Sequence, residues 1–305
     1  MRVTVEQLRD MKRQGRRFAM LTAYEYSIAR LLDDAGIPVL LVGDSLGSVV
    51  LGYDTTLPVT VEDIIRHTQA VVRGSTNALV VSDMPFMSFQ ESIEQALHNA
   101  GRMLKEGGCQ AVKLEGGAPM AATTRRLVEV GIPVMGHIGL TPQSVHQLGG
   151  HKVQGKTLAV AARLLSDAHA LEEAGVFSIV LEGVPAALAQ RITAAVGVPT
   201  IGIGAGPHCD AQVQVIHDLL GLFNDFQPKH AKRYATLGPV IQDAVRRYTD
   251  DVVAGAFPTD KESFTMDERV LHELDDRHGD RLPFDPAVAL AGTPEPNFSG
   301  YAPKS

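Results

Sequence analysis

The sequence predicts a (β/α)8 TIM barrel with an N-terminal helix and a C-terminal helical extension, on three observations. Eight short apolar runs, rich in β-branched residues, alternate with helical stretches. Most of the runs are apolar on both faces, which marks parallel strands covered by helices. A chain of 305 residues has room for eight such units around one core.

The elements follow in order. Thr4-Val5-Glu6-Gln7 has the form of a capping box and starts a helix that should run to about Gly15. The basic cluster Lys12, Arg13, Arg16 and Arg17 then reads as the complement of that helix's C-terminal end. Strands are expected at Phe18–Ala23, Val39–Val42, Ala78–Ser82, Ala111–Leu114, Pro133–Gly136, Phe177–Leu181, Pro199–Ile203 and Leu219–Phe223. Helices are expected at Tyr26–Ala35, Val61–Arg73, Ser92–Glu106, Met120–Val130, Lys156–Ala174, Ala186–Ala195 and Ala211–Ile216. A further helix over Gly238–Gly255 forms the extension. Residues 1–264 are thus expected to form the barrel domain. Residues 265–305, charge-dense and then rich in Pro and Gly, form a polar, partly disordered tail.

Composition narrows the function. A hydrophobic share of 45% with 21% charged residues is the balance of a soluble enzyme. The net charge of −7 argues against nucleic acid as a partner, which would call for a basic face. Cys109 and Cys209 fit no zinc spacing and suggest a reducing compartment. No apolar run is long enough to span a bilayer, and the charged first residues leave no signal-peptide core. A cytoplasmic protein with no membrane partner is expected.

The chemistry is read from what ends each strand. The second run ends in Gly43-Asp44-Ser45 and the third in Asp83. The fourth ends in Lys113 and Glu115, the fifth in His137 and the sixth in Glu182. An Asp or Ser after a strand often only caps the next helix. Ionisable groups on five strand ends, however, converge on one mouth in a barrel. Asp44 and Asp83 suit a hard cation, and two carboxylates without cysteine fit Mg2+ better than zinc. Glu115 could bind that metal or orient a water on it. Lys113 offers a cation for a substrate carboxylate, and it shares a strand face with Glu115 two residues on. His137 reads as a hydrogen-bonding neighbour of these groups. The run Gly202-Ile203-Gly204-Ala205-Gly206 is not a GxGxxG motif, and suits a close backbone approach to a flat ligand or to the barrel mouth as well as a tight turn.

Several strings resemble the ketopantoate (3-methyl-2-oxobutanoate) hydroxymethyltransferases. They include Gly43-Asp44-Ser45-Leu46-Gly47, Leu51-Gly52-Tyr53-Asp54, Thr56-Leu57-Pro58-Val59-Thr60 and Asp83-Met84-Pro85-Phe86. Val112-Lys113-Leu114-Glu115-Gly116-Gly117, Gly136-His137-Ile138-Gly139-Leu140-Thr141-Pro142-Gln143, Leu181-Glu182 and Gly202–Gly206 continue the likeness, which runs from about residue 3 to Phe264. The resemblance implies Asp44 and Asp83 as ligands of one Mg2+ per subunit, with Glu115 as a third acidic group at the metal. It also implies that Asp44, Ser45, Asp83 and Lys113 contact the 2-oxo acid and that Glu182 is the catalytic base. It further implies 5,10-methylenetetrahydrofolate as one-carbon donor, 2-dehydropantoate as product through a magnesium-stabilised enolate, and a homodecamer. Departures at Glu25, Ala211 and His230 lie away from these positions. Two other readings are open: a magnesium-dependent barrel enzyme that makes or breaks another C–C bond of a 2-oxo acid, and a non-catalytic assembly or binding subunit.

Overall fold

A computed structural model describes residues 2–150, 152–222 and 228–278. Eight parallel strands close into a ring in sequence order, and β1 pairs with β8 to seal it. They are β1 (Phe18–Thr22), β2 (Val39–Val42), β3 (Leu79–Asp83), β4 (Ala111–Glu115), β5 (Val134–Gly139), β6 (Ser178–Glu182), β7 (Thr200–Ile203) and β8 (Ala211–Gln214). The helices are α1 (Val5–Arg13), α2 (Tyr26–Asp34), α3 (Leu46–Val49), α4 (Val61–Gly74), α5 (Ile93–Arg102), α6 (Ala121–Glu129), α7 (Val145–Leu148), α8 (Leu158–Glu173), α9 (Ala186–Ala195), α10 (Ile216–Leu220), α11 (Leu237–Val253) and α12 (Glu268–His278).

Two apolar clusters follow from strand alternation. One includes Leu40, Val80, Val112, Leu114, Ile179 and Leu181 and packs against helix residues such as Ile64, Leu127, Leu171 and Ile192. The other lies inside the ring and includes Met20, Leu41, Val81, Ala111, Met135, Val180, Ile201 and Val213. Leu8 of α1 joins this inner cluster with the strand-start residues Phe18, Val39, Leu79 and Phe177, so the N-terminal helix plugs the bottom of the barrel. The Thr4 capping box forms as expected, with Thr4 Oγ1 accepting from the Gln7 amide and Gln7 Oε1 accepting from the Thr4 amide. Lys12 stands with Arg13 in the last turn of α1, as expected, and it reaches further. Its Nζ stands 2.9 Å from Asp210 Oδ2 and donates to the Thr193 carbonyl, tying α1 to the start of β8.

The eighth unit needs correction. Ala211–Gln214, expected as helix, is β8, and Leu219–Leu220, expected as strand, belongs to α10; Phe223 of that run lies outside the described residues. The cause is local. Only residues 204–210 connect β7 to β8, and no helix forms among them. The outer face of β8 is therefore left polar: Gln212 is exposed while Ala211 and Val213 are buried. A strand covered on one face alternates, and it does not show the continuous apolar run of its neighbours. A cavity of about 480 Å³ opens along this seam, lined by Phe18, Gly204, Pro207, Ala211 and Gln212 among others.

The chain divides into two compact units, one through Gln242 and one from Asp243 onward. The second holds the rest of α11, a turn at Asp260–Glu262 capped by Thr259, and α12. Within it the rings of Tyr248 and Phe257 meet edge-on at 5.7 Å between centroids. The tail expected for 265–305 starts as this helix, and its part from 279 lies outside the described residues.

Candidate active site

Period-two alternation carries the inner layer upward into charge. Val81, Ala111, Met135 and Val180 line the barrel interior, and two residues beyond each of them stand Asp83, Lys113, His137 and Glu182. Glu115 is the next inward position after Lys113. Register brings them abreast: Asp83 pairs with Lys113, Glu115 with His137, and Gly139 with Glu182. Asp44 reaches the same mouth from the turn after β2, where its backbone amide stands 3.3 Å from Asp83 Oδ2.

The groups touch in series. Lys113 Nζ lies 2.7 Å from Asp83 Oδ1 and 3.5 Å from His137 Nδ1. His137 Nδ1 is 3.4 Å from Glu115 Oε1, and His137 Nε2 is 3.3 Å from Glu182 Oε2. Asp83, Lys113, Glu115 and His137 are almost wholly buried, whereas the Glu182 side chain keeps 18% of its surface. Burial disfavours the charge on Lys113, but Asp83, Glu115 and Asp44 outweigh it and raise the ammonium above its ordinary range. Burial and Lys113 oppose the charge on His137, yet Glu115 and Glu182 push the imidazole up to about 9. Burial, joined by the charges of Asp83 and Glu115, holds Asp44 well above the usual carboxylate range. Burial also raises Asp83, against the pull of Lys113.

This donor set fits one hard divalent cation. Four carboxylates face two cationic groups, and ionising all four would leave two negative charges unmatched, a cost visible in the raised Asp44 and Asp83. Asp83 Oδ1 is buried and faces the Lys113 ammonium at 2.7 Å. Among the described residues no three His, Cys, Asp or Glu side chains are grouped to hold an ion by themselves. A cation here would take one or two carboxylates and complete its shell with water and substrate oxygens, the habit of magnesium.

Six of the seven residues singled out in the sequence meet at this mouth. The seventh, Ser45, follows Asp44 directly, and its Oγ is 2.8 Å from the Tyr24 hydroxyl. Gly43 makes room for that hydroxyl: a Cβ there would stand 2.9 Å from Ser45 Oγ. Two polar side chains were missed. Tyr24 follows β1, and a phenol after a strand carries no charge signal. Gln143 sits in the loop after β5, and its only trace is its place after Thr141-Pro142. Of the glycines Gly202–Gly206, Gly204 and Gly206 take positive φ, as the tight-turn alternative requires, and border the outer cavity, which none of the mouth acids lines.

Fold and site together define a (β/α)8 barrel enzyme whose C-terminal mouth gathers four acids around a lysine and a histidine. The chain belongs to the ketopantoate hydroxymethyltransferase family, whose model matches residues 2–260. A 3-methyl-2-oxobutanoate hydroxymethyltransferase of Dehalococcoides mccartyi is 62% identical over 274 residues, covering 90% of this chain and 97% of that protein. The same enzyme of Syntrophomonas wolfei is 56% identical over 273 residues, covering 90% and 99%. Among solved structures, phosphonopyruvate hydrolase in complex with oxalate and Mg2+ shares the fold, with a TM-score of 0.57 at 12% identity over 91% of this chain and 96% of that one. So does 2,3-dimethylmalate lyase, a member of the PEP mutase/isocitrate lyase superfamily, with a TM-score of 0.55 at 18% identity over 90% and 96%. The chain is therefore a hydroxymethyltransferase, and its reaction is the hydroxymethyl transfer of pantothenate biosynthesis. Among the described residues no helix is long and apolar enough to cross a membrane.

Proposed function

We propose that the mouth adds a hydroxymethyl group to C3 of 3-methyl-2-oxobutanoate, with Mg2+ held by Asp44 and Asp83 and 5,10-methylenetetrahydrofolate as donor. The observation that carries this reading is the layer of acids directly above the apolar barrel interior, with Glu182 its most exposed partly buried member at the fifth loaded strand. Bound magnesium supplies Lewis-acid polarisation of the 2-keto group. Lys113 and Ser45 hold the substrate carboxylate, turning binding into orientation. Glu182 takes the C3 proton, and the substrate enolate then attacks the methylene carbon of the donor; the C–N bonds to that carbon break, water supplies the hydroxyl oxygen, and tetrahydrofolate leaves. His137 faces Glu182 on one side and Glu115 on the other and keeps both carboxylates in place. Glu115, held by His137 Nδ1 and the Gln143 amide, stands where it would bind the cation or orient a water on it.

The chain's setting follows the family resemblance: a cytoplasmic homodecamer, which sedimentation at micromolar concentration tests. For the reaction, purified protein is given 3-methyl-2-oxobutanoate, 5,10-methylenetetrahydrofolate and Mg2+, and 2-dehydropantoate is measured. Product that disappears on chelation and returns with Mg2+ supports the reading. Turnover of the 2-oxo acid by C–C cleavage without the folate would favour the lyase alternative, and no turnover with any partner would favour a binding subunit.

A further inference from the structure

Gln143 lies on a loop, yet it is only 5% exposed, as deeply buried as the acids beneath it. A buried amide without partners is costly, so its contacts are informative. Its Nε2 donates to Asp44 Oδ2 at 2.9 Å and to the Met84 carbonyl at 3.0 Å. Its Oε1 accepts from Gln90 Nε2 at 3.2 Å, and its backbone N–H donates to Glu115 Oε2 at 3.0 Å. The Met84 carbonyl can only accept, so the nitrogen end must face it, and the amide has one permitted orientation.

These partners are not a random anchorage. From the exit of β5 the residue reaches the exits of β2, β3 and β4. It touches Asp44 itself and the residue directly after Asp83, the two acids read as cation ligands. It holds one oxygen of Asp44, and among the described residues no hydrogen bond reaches the other oxygen. It also holds Glu115 by the oxygen that faces away from His137. A residue needed only to pin the loop could use any acceptor within reach.

We infer that Gln143 is a positioning residue that sets the affinity of the mouth for its divalent cation, by fixing Asp44 and the Asp83–Met84 turn at one spacing and restraining Glu115. The inference rests on the metal reading given under Proposed function. Substitution of groups that orient metal ligands commonly weakens binding about 10–100-fold.

The test is calorimetric titration of the full-length protein with Mg2+ and with Mn2+, without substrates, for wild type, Gln143→Met and Gln143→Asn. Methionine keeps the volume but cannot donate; asparagine keeps the amide but is one methylene short. Both variants should retain wild-type circular dichroism and sedimentation, bind the cation about 10–100-fold more weakly, and recover most of their kcat at raised Mg2+. Should Gln143→Met fail to fold, Gln143→Asn decides in the same way. Folded variants with wild-type affinity would overturn the inference while leaving the metal reading standing. A wild-type protein that binds neither cation, with Asp83→Asn indistinguishable from it, would overturn the metal reading and this inference together.

Discussion

Gly139 and Glu182 face each other at the exits of β5 and β6, with the Leu140 amide donating to the Glu182 carbonyl at 2.7 Å. Gly139 has φ +101°, and a Cβ on it would overlap that carbonyl oxygen. The glycine thus lets the loop bearing Gln143 turn back over the strand end bearing Glu182. The Gln154 amide, bonded to the Gly183 carbonyl at 2.8 Å, closes the far end of the same loop.

Gly139→Ala should therefore cost at least about 2 kcal/mol, the sum of a left-handed backbone penalty and a steric overlap. It should also lower kcat, because Glu182 and Gln143 both move. Thermal melts and initial rates measure the two effects. A variant with wild-type melting and turnover would contradict the close approach.

Glu182→Gln tests the base directly. Exchange of the substrate C3 hydrogen with deuterated water needs no folate, but it needs a base. The variant should still bind the 2-oxo acid and lose exchange by about 10²–10⁴-fold, the range general-base catalysis supplies. Proton NMR of the substrate methine follows it. Exchange at the wild-type rate would transfer the role to another group, with His137 first in line.

The raised His137 predicts a pH dependence of stability in the metal-free protein. The group is held up to about 9 in the folded state, against an unfolded value of about 6.5. Its stabilising contribution is complete below the unfolded value and is lost as pH rises through the folded one. Denaturant unfolding of wild type and His137→Gln at several pH values measures this. The gap between them should be widest near pH 6 and close above about 9. A gap that widens with pH would reverse the sign of the coupling.

Asp33, at the end of α2, accepts from the backbone amides of Thr76, Asn77 and Ala78, at 2.7 to 3.2 Å. Burial opposes its charge, but these amides hold the carboxyl below its ordinary range. Asp33→Ala should cost about 3 kcal/mol, since it strands several amides just before β3. The lost stability should be present above the unfolded carboxylate value and vanish as pH falls through the lower folded one. Urea midpoints at pH 7 and pH 3 check both statements, and equal losses at the two pH values would refute the second.

Much of this architecture was legible because alternation in a strand is strict. Once Val81, Ala111, Met135 and Val180 are read as inward, Asp83, Lys113, His137 and Glu182 must also be inward, and strand ends in a barrel share one mouth. Two things escaped. β8 escapes because strands are sought as continuous apolar runs, and Ala211-Gln212-Val213-Gln214 alternates as a strand covered on one face does. Gln143 escaped because an uncharged side chain on a loop carries no periodic signal. Only the folded chain shows that this loop returns over β6 and lowers an amide between the exits of β2 and β4.

The short connection from β7 to β8 bears on how the barrel breathes. β8 matches β7 at two residue pairs, Ile201–Ala211 and Gly202–Gln212, but matches β1 at four. No helix among residues 204–210 shields that junction. Transient opening should therefore begin there, and amide protons at the β7–β8 junction should exchange with solvent sooner than those between β3 and β6. The acids, lysine and histidine stand at the ends of β2 to β6, of which only β6 borders β7. The ring can thus loosen at one side and reclose many times while the groups that meet the substrate keep their distances.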